Sequence, residues 1–320
     1  MSIPKKVHIP PRINREDFQA GYMKLLSYSL EDISSAIVDH LRRKNFTERQ
    51  LEGLAKFKSK GGWASVNPED SDNLKKWFDI FNSVLFNGVL SGYCELAFFP
   101  PSRRGSFWEG AAGYCRTRVP GEELDSRFRN EKVRVTIGIK RIDSKGYNQC
   151  ALPLVYKGEV YRNYLVHEML HAAFGIYACR CEYGCREKFR ESEERFGGHD
   201  MPWMEAAYAI ENADKAVHTK KTQFFENYGI MGETLAMDLS KCMSLLGTWD
   251  HIPPDTELRR VGLDIKRMRE ELAWLRGRKA KEYRKDQQQK HFRKANRCLR
   301  YSWIVDSDCE RCTRSDSFFL

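Results

Sequence analysis

Apolar positions over residues 15–59 recur every three to four residues: Phe18, Tyr22, Leu25 and Leu26, then Ile33, Ile37 and Leu41. This spacing predicts helices. Thr47-x-x-Gln50 has the form of a capping box and predicts the start of another short helix. Gly61-Gly62 and Asn67-Pro68 punctuate a linker. From Asp72 onward, Leu74, Trp77, Phe78, Ile80, Phe81, Leu85 and Phe86 predict an amphipathic helix that Asn87-Gly88 ends. The period then switches to two. Residues 94–99 (Cys-Glu-Leu-Ala-Phe-Phe), 111–116 (Ala-Ala-Gly-Tyr-Cys-Arg) and 133–139 (Val-Arg-Val-Thr-Ile-Gly-Ile) predict three strands. A helix follows over Tyr161 to Tyr177. Another opens at Pro202, in the first-turn position proline prefers, and carries Trp203, Met204, Ala207 and Ile210. Leu258, Val261, Ile265, Met268, Leu272 and Leu275 form a heptad seam of under three repeats, short for a coiled coil. It predicts a helix packed on the body or on a neighbouring helix. Residues 1–14 are Pro-rich and basic and predict disorder.

At 320 residues the chain is long enough for a substantial core in one or two domains. With 41% hydrophobic and 31% charged residues it reads as a soluble globular protein. No run approaches the roughly 20 apolar residues of a membrane span. Met1-Ser-Ile-Pro-Lys-Lys-Val-His8 lacks the apolar core of a secretory signal, so the expected compartment is intracellular. There, ten cysteines are expected as thiols or metal ligands rather than disulfides. The formal net charge of +10 is concentrated: residues 259–300 hold 16 Lys/Arg and 5 Asp/Glu, and the rest of the chain is close to neutral. A basic segment on a neutral body is the electrostatic footprint of a nucleic-acid partner, or else a solvated helix.

His167-Glu168-Met169-Leu170-His171 is an H-E-x-x-H motif. On a helix, residues four apart share a face, so both imidazoles can reach one cation. Zinc suits nitrogen ligands, and Glu168 stands where it can take a proton from a metal-activated water. A catalytic zinc needs a third protein ligand and an open position. The metzincin pattern requires glycine at 174 and histidine at 177; Phe174 and Tyr177 exclude it. The preferred third ligand is His199, in Gly197-Gly-His-Asp-Met-Pro-Trp203, where a glycine pair lets the backbone turn into the site. Glu191, Glu193 and Glu194 are the alternatives.

These residues and their order resemble the SprT-like family, which includes the Spartan proteases. The resemblance runs over about residues 72–215. It rests on Phe81-Asn82…Phe86-Asn-Gly-Val-Leu90, on Gly113-Tyr-Cys115, on the strand 133–139, on His167-Glu-Met-Leu-His171-Ala, and on Gly198-His199…Trp203. It implies an α+β fold, a small zincin-like metalloprotease domain with a short sheet over the H-E-x-x-H helix. It also implies His167, His171 and His199 as zinc ligands, Glu168 as catalytic acid/base, and a nuclear role in cleaving proteins bound or crosslinked to DNA. The organisation expected is an N-terminal tail and helical extension over 1–71, the metalloprotease domain over 72–215, and a helical basic extension over 216–320. One departure is clear: 27 residues separate His171 from His199, longer than the family's usual gap.

That insertion contains Cys179, Cys181 and Cys185. Three thiolates need a fourth ligand for a structural zinc. No local residue offers one; Cys150, Cys309 or Cys312 could supply it from afar. A second zinc at Cys179/Cys181/Cys185 stands against the simpler reading of free thiols. Trp108 and Tyr114 are the aromatics to test as stacking platforms for single-stranded nucleic acid, against core packing. The 110–116 strand is the candidate edge for pairing with an extended peptide. No phosphate-cradling loop, kinase signature or nucleophile elbow is present. The leading expectation is a zinc metallopeptidase acting on protein substrates, with DNA bound through 259–300 and no membrane partner. A non-enzymatic, zinc-containing DNA- or chromatin-binding module and an intracellular peptidase unrelated to DNA are the alternatives.

Overall fold

The computed structural model describes residues 8–59, 69–99, 113–120, 133–142, 154–196, 198–211, 213, 255–260 and 266. In chain order the elements are α1 (Leu30–Leu41), α2 (Glu48–Ser59), α3 (Ser71–Leu85), β1 (Cys94–Phe99), β2 (Gly113–Arg118), β3 (Arg134–Lys140), α4 (Leu154–Tyr177), α5 (Cys185–Phe196), α6 (Met201–Glu211) and the short α7 (Asp255–Arg260). The fold is α+β. Among the described residues no helix is long and apolar enough to cross a membrane.

Local chemistry sets the helix ends. The Ser29 hydroxyl accepts from the Asp32 amide at 3.0 Å and starts α1. Thr47 and Gln50 make the reciprocal capping box before α2: the Thr47 amide donates to Gln50 Oε1 at 2.9 Å, and the Gln50 amide to Thr47 Oγ1 at 3.2 Å. Asn87 and Gly88, at φ 48° and 79°, turn the chain sharply after α3. Asn82 holds that turn through its backbone carbonyl, which accepts from Gly88, and its side-chain oxygen, which accepts from the Leu90 amide.

The sheet has the order β1-β3-β2, with β1 parallel and β2 antiparallel to the central β3. Its register puts Cys94, Leu96 and Phe98 beside Val135, Ile137 and Ile139, and these beside Thr117, Cys115 and Gly113. Period-two alternation makes that set one face of the sheet, and α4 covers it. The Phe98 ring meets Tyr161 of α4 edge-on at 5.2 Å. Sheet and helices surround α4: Leu165, Val166, Met169, Leu170, Ala172, Ala173, Ile176 and Tyr177 are all buried. A helix enclosed on nearly every side has no need of a polar stripe.

Two expectations are corrected. The helical spacing of Phe18, Tyr22, Leu25 and Leu26 does not make a helix; residues 15–28 form turns. Phe18 is buried, but Tyr22 is exposed and Leu26 has a positive φ. The segment satisfies its backbone differently. The Leu26 amide donates to Ile176, and those of Ser27 and Tyr28 donate to Tyr177, so the chain runs beside the end of α4. The charged stretch before His199 forms a helix, α5, where none was expected. The residues of α1 and α3 bury in one hydrophobic cluster with α4 and α6. The heptad seam beyond Leu258, Cys150, Cys309, Cys312, Trp108 and nearly all of 259–300 lie outside the described residues.

Candidate metal centre

His167 and His171 stand one turn apart on α4 and project together. His199 arrives from the loop between α5 and α6. Gly198 makes that approach feasible. It sits at φ 78°, and a Cβ there would lie 3.0 Å from His171 Cε1 and Nδ1, and 3.1 Å from Glu193 Oε1. Its amide donates to the Ser192 carbonyl at 3.0 Å, fixing the loop on α5. Asp200 then caps α6, accepting from the Trp203 amide at 3.2 Å. Burial pushes the Asp200 carboxyl up to about 6, opposed by hydrogen bonds from Ser192 and Trp203.

The three imidazoles form a triangle of Nε2 atoms. His167–His171 is 3.2 Å, His171–His199 is 2.9 Å and His167–His199 is 3.1 Å. Hydrogen bonding cannot satisfy three such contacts at once. Each Nε2 either carries a proton or presents a lone pair, so at least one pair in a triangle must be like facing like. A cation accepting all three lone pairs removes the conflict. Tetrahedral zinc, with zinc–nitrogen bonds of about 2.0–2.1 Å, sets its nitrogens about 3.3–3.4 Å apart, close to the observed spacing. Burial, and then His199 and His167, hold the His171 pKa well below its ordinary value. A neutral ring is the ligating form. Behind the triangle lies the buried Trp203, its ring centroid 4.9, 5.3 and 4.3 Å from those of His167, His171 and His199.

Glu168 points toward the sheet. It is 6% exposed and packs on Gly113 of β2, where a Cβ would come within 2.7 Å of its Oε1. Cys115 lies further along the same face; burial, and then Glu168, push its thiol well up. Cys94 is raised to about 12 by burial. Neither is in a disulfide.

Of the proposed third ligands, the structure brings His199 to the triangle. Glu191 is exposed on α5, and Glu193 approaches Gly198 rather than entering the ligand set. The Glu194 side chain lies outside the described residues. Tyr114, considered as a stacking platform, lies over Gly138 and against Phe99 at 5.2 Å. Cys179, Cys181 and Cys185 do converge, and their companion is His8 rather than a cysteine. Sequence reasoning missed His8, since nothing in a Pro-rich segment marks a ligand 171 residues away. Comparisons with protein-family models, with curated proteins and with solved structures find no match.

Proposed function

We propose that the chain is a zinc-dependent metallopeptidase of the SprT-like kind. The observation that carries this reading is the triangle of three Nε2 atoms with a buried carboxylate on the residue next to the first of them. His167, His171 and His199 would hold the ion, and three protein ligands leave a position open, as catalytic sites require. Bound there, zinc supplies Lewis acidity that brings a water's pKa toward about 7 and polarises the substrate carbonyl. Glu168 is the general base: its carboxylate takes the proton of the attacking water and hands it to the amine nitrogen as the C–N bond breaks.

The sheet edge favours a peptide as substrate. β2 lies at the edge, its outer side pairs with no other described strand, and Gly113 at its start lies against Glu168. An extended peptide added to β2 by backbone pairing would run past the carboxylate. Charge favours DNA-associated substrates in the nucleus. Alternation places Arg116, Arg118, Arg134 and Lys140 on the sheet face away from α4, in addition to the basic stretch 259–300. Arg134 is partly neutralised by its exposed ion pair with Glu95.

The test is cleavage of a basic DNA-binding protein by the full-length chain, with and without single-stranded DNA, beside Glu168→Gln. Cleavage stimulated by DNA and lost in the variant is the expected result. Cleavage indifferent to DNA would remove the DNA role and leave the peptidase. Equal cleavage by the variant would overturn the assignment of Glu168.

A further inference from the structure

At the far end of α4 a second set of ligand atoms converges. His8 Nδ1 lies 3.5 Å from Cys179 Sγ, 3.3 Å from Cys181 Sγ and 3.6 Å from Cys185 Sγ. All four ligand atoms lie within 4.8 Å of one another. We infer that His8, Cys179, Cys181 and Cys185 form a second metal site, a closed Cys3His zinc that clips the N-terminal arm to the end of the metal-binding helix.

One ring nitrogen cannot make three hydrogen bonds. Nδ1 has either a single proton to donate or a single lone pair. Three sulfurs at nearly equal distance from it therefore require a shared centre. Tetrahedral zinc, with bonds of about 2.3 Å to sulfur and about 2.0–2.1 Å to nitrogen, sets nitrogen and sulfur about 3.5 Å apart. The three observed contacts bracket that value. Soft thiolates with one imidazole select zinc over hard cations. Four protein ligands leave no open position, which makes the site structural and separates its role from that of the histidine triangle. Binding Zn2+ transfers the three thiol protons to solvent, and no electrons move.

The loop is built to present these sulfurs. The Cys179 amide donates to the Tyr28 carbonyl at 2.8 Å, continuing the backbone pairing that starts at Leu26. The Arg186 amide donates to the Cys181 carbonyl at 3.1 Å and folds the start of α5 back over the turn. Gly184 makes that turn at φ 104°. Arg180, between two of the ligands, donates to the Gly175 carbonyl at 3.0 Å and stacks over Phe189 at 4.1 Å. The insertion that lengthens the gap between His171 and His199 thus contains a metal knuckle. Its fourth ligand closes a loop of more than 170 residues, and cross-links over long loops remove the most entropy from the unfolded chain.

The experiment is metal analysis of the full-length chain purified with zinc, compared with His8→Ala, Cys181→Ser and His167→Ala. Two zinc ions per chain are expected in the wild type and one in each variant. Only His8→Ala and Cys181→Ser should lose the thiolate charge-transfer absorption when cobalt replaces zinc. His8→Cys should keep both ions. Should Cys181→Ser fail to fold, the wild-type cobalt spectrum decides: absence of a thiolate band overturns the site. An unchanged zinc count in His8→Ala overturns the assignment of the fourth ligand. A disulfide among the three cysteines in the intact mass of the native protein overturns the site altogether. Failure of the histidine triangle would show separately, as wild-type zinc content that His167→Ala leaves unaltered.

Discussion

Gly113 has no room for a side chain, and the atom in the way is the carboxylate assigned as general base. A Cβ there would come within 2.7 Å of Glu168 Oε1 and 2.9 Å of its Cγ, so the fold yields by shifting that side chain, carboxylate included. Gly113→Ala should therefore keep zinc content and most of the stability, with an overpacking cost of about 1–3 kcal/mol at most. Cleavage should fall more than tenfold, because a small displacement of a catalytic group is expensive. Turnover measured beside thermal unfolding checks this; unimpaired turnover would mean that Glu168 is not positioned by β2. Glu168→Gln should lower cleavage by a factor on the order of 10²–10⁴ while zinc stays bound. Both positions were visible in the sequence, one as the second residue of H-E-x-x-H and the other as the start of Gly-x-Cys. Their contact was not, because it depends on which sheet face α4 covers and on strand register.

The close packing of α4 on β2 depends on another small residue. A Cβ at Gly175 would collide with Thr117 Oγ1. Gly175 lies two turns beyond Glu168, so one helix face makes both approaches to the strand. Gly175→Ala should destabilise the protein by about 1–3 kcal/mol, and Thr117→Ala in the same chain should recover part of that loss. A strictly additive pair in denaturant unfolding would deny the contact. In α6, Trp203 backs all three imidazoles. Trp203→Ala should cost about 3–5 kcal/mol and weaken zinc binding, with Trp203→Phe intermediate. Zinc affinity unchanged in Trp203→Ala would show that the ring does not orient the ligands.

Elements with strong periodicity were legible: β1, β3, α3 with its Asn87-Gly88 ending, the Thr47–Gln50 cap and α6 lie where their patterns put them, and β2 runs Gly113–Arg118, two residues beyond the expected 111–116 at its end. The failures have physical causes. The 18–26 spacing was a period without a helix: the Gln19 and Tyr22 amides close local turns, and the Leu26 amide donates to Ile176 at the end of α4. In α5 the run Arg190-Glu-Ser-Glu-Glu-Arg195 hides a helix that, among the described side chains, turns Phe189 and Ser192 inward.

Across the whole molecule, the N-terminal residues share the core that supports the histidine triangle. His40 of α1 shows the connection. It is buried, and its ring N–H donates to the Val84 carbonyl of α3 at 3.1 Å. Burial lowers its pKa to about 4, with Arg43 and Arg15 adding to the effect and the Val84 bond opposing it. The fold therefore holds the neutral ring, whereas the unfolded chain binds a proton below about 6.5. His40 should contribute nothing to pH dependence above about 6.5, then remove on the order of 3 kcal/mol as pH falls to about 4. His40→Gln keeps a donor for Val84 and should flatten that part of the stability profile. An identical profile in the variant would assign the acid sensitivity elsewhere, the histidines of the triangle included.

The most direct test of the proposed zinc-peptidase activity is chelation followed by reconstitution of the full-length chain, reading zinc content and peptide-bond cleavage on the same samples. Cleavage should disappear on chelation and return with zinc in the wild type. Glu168→Gln should take up the same zinc without regaining cleavage. Cleavage that survives complete metal removal, or that zinc restores equally in Glu168→Gln, would overturn the assignment.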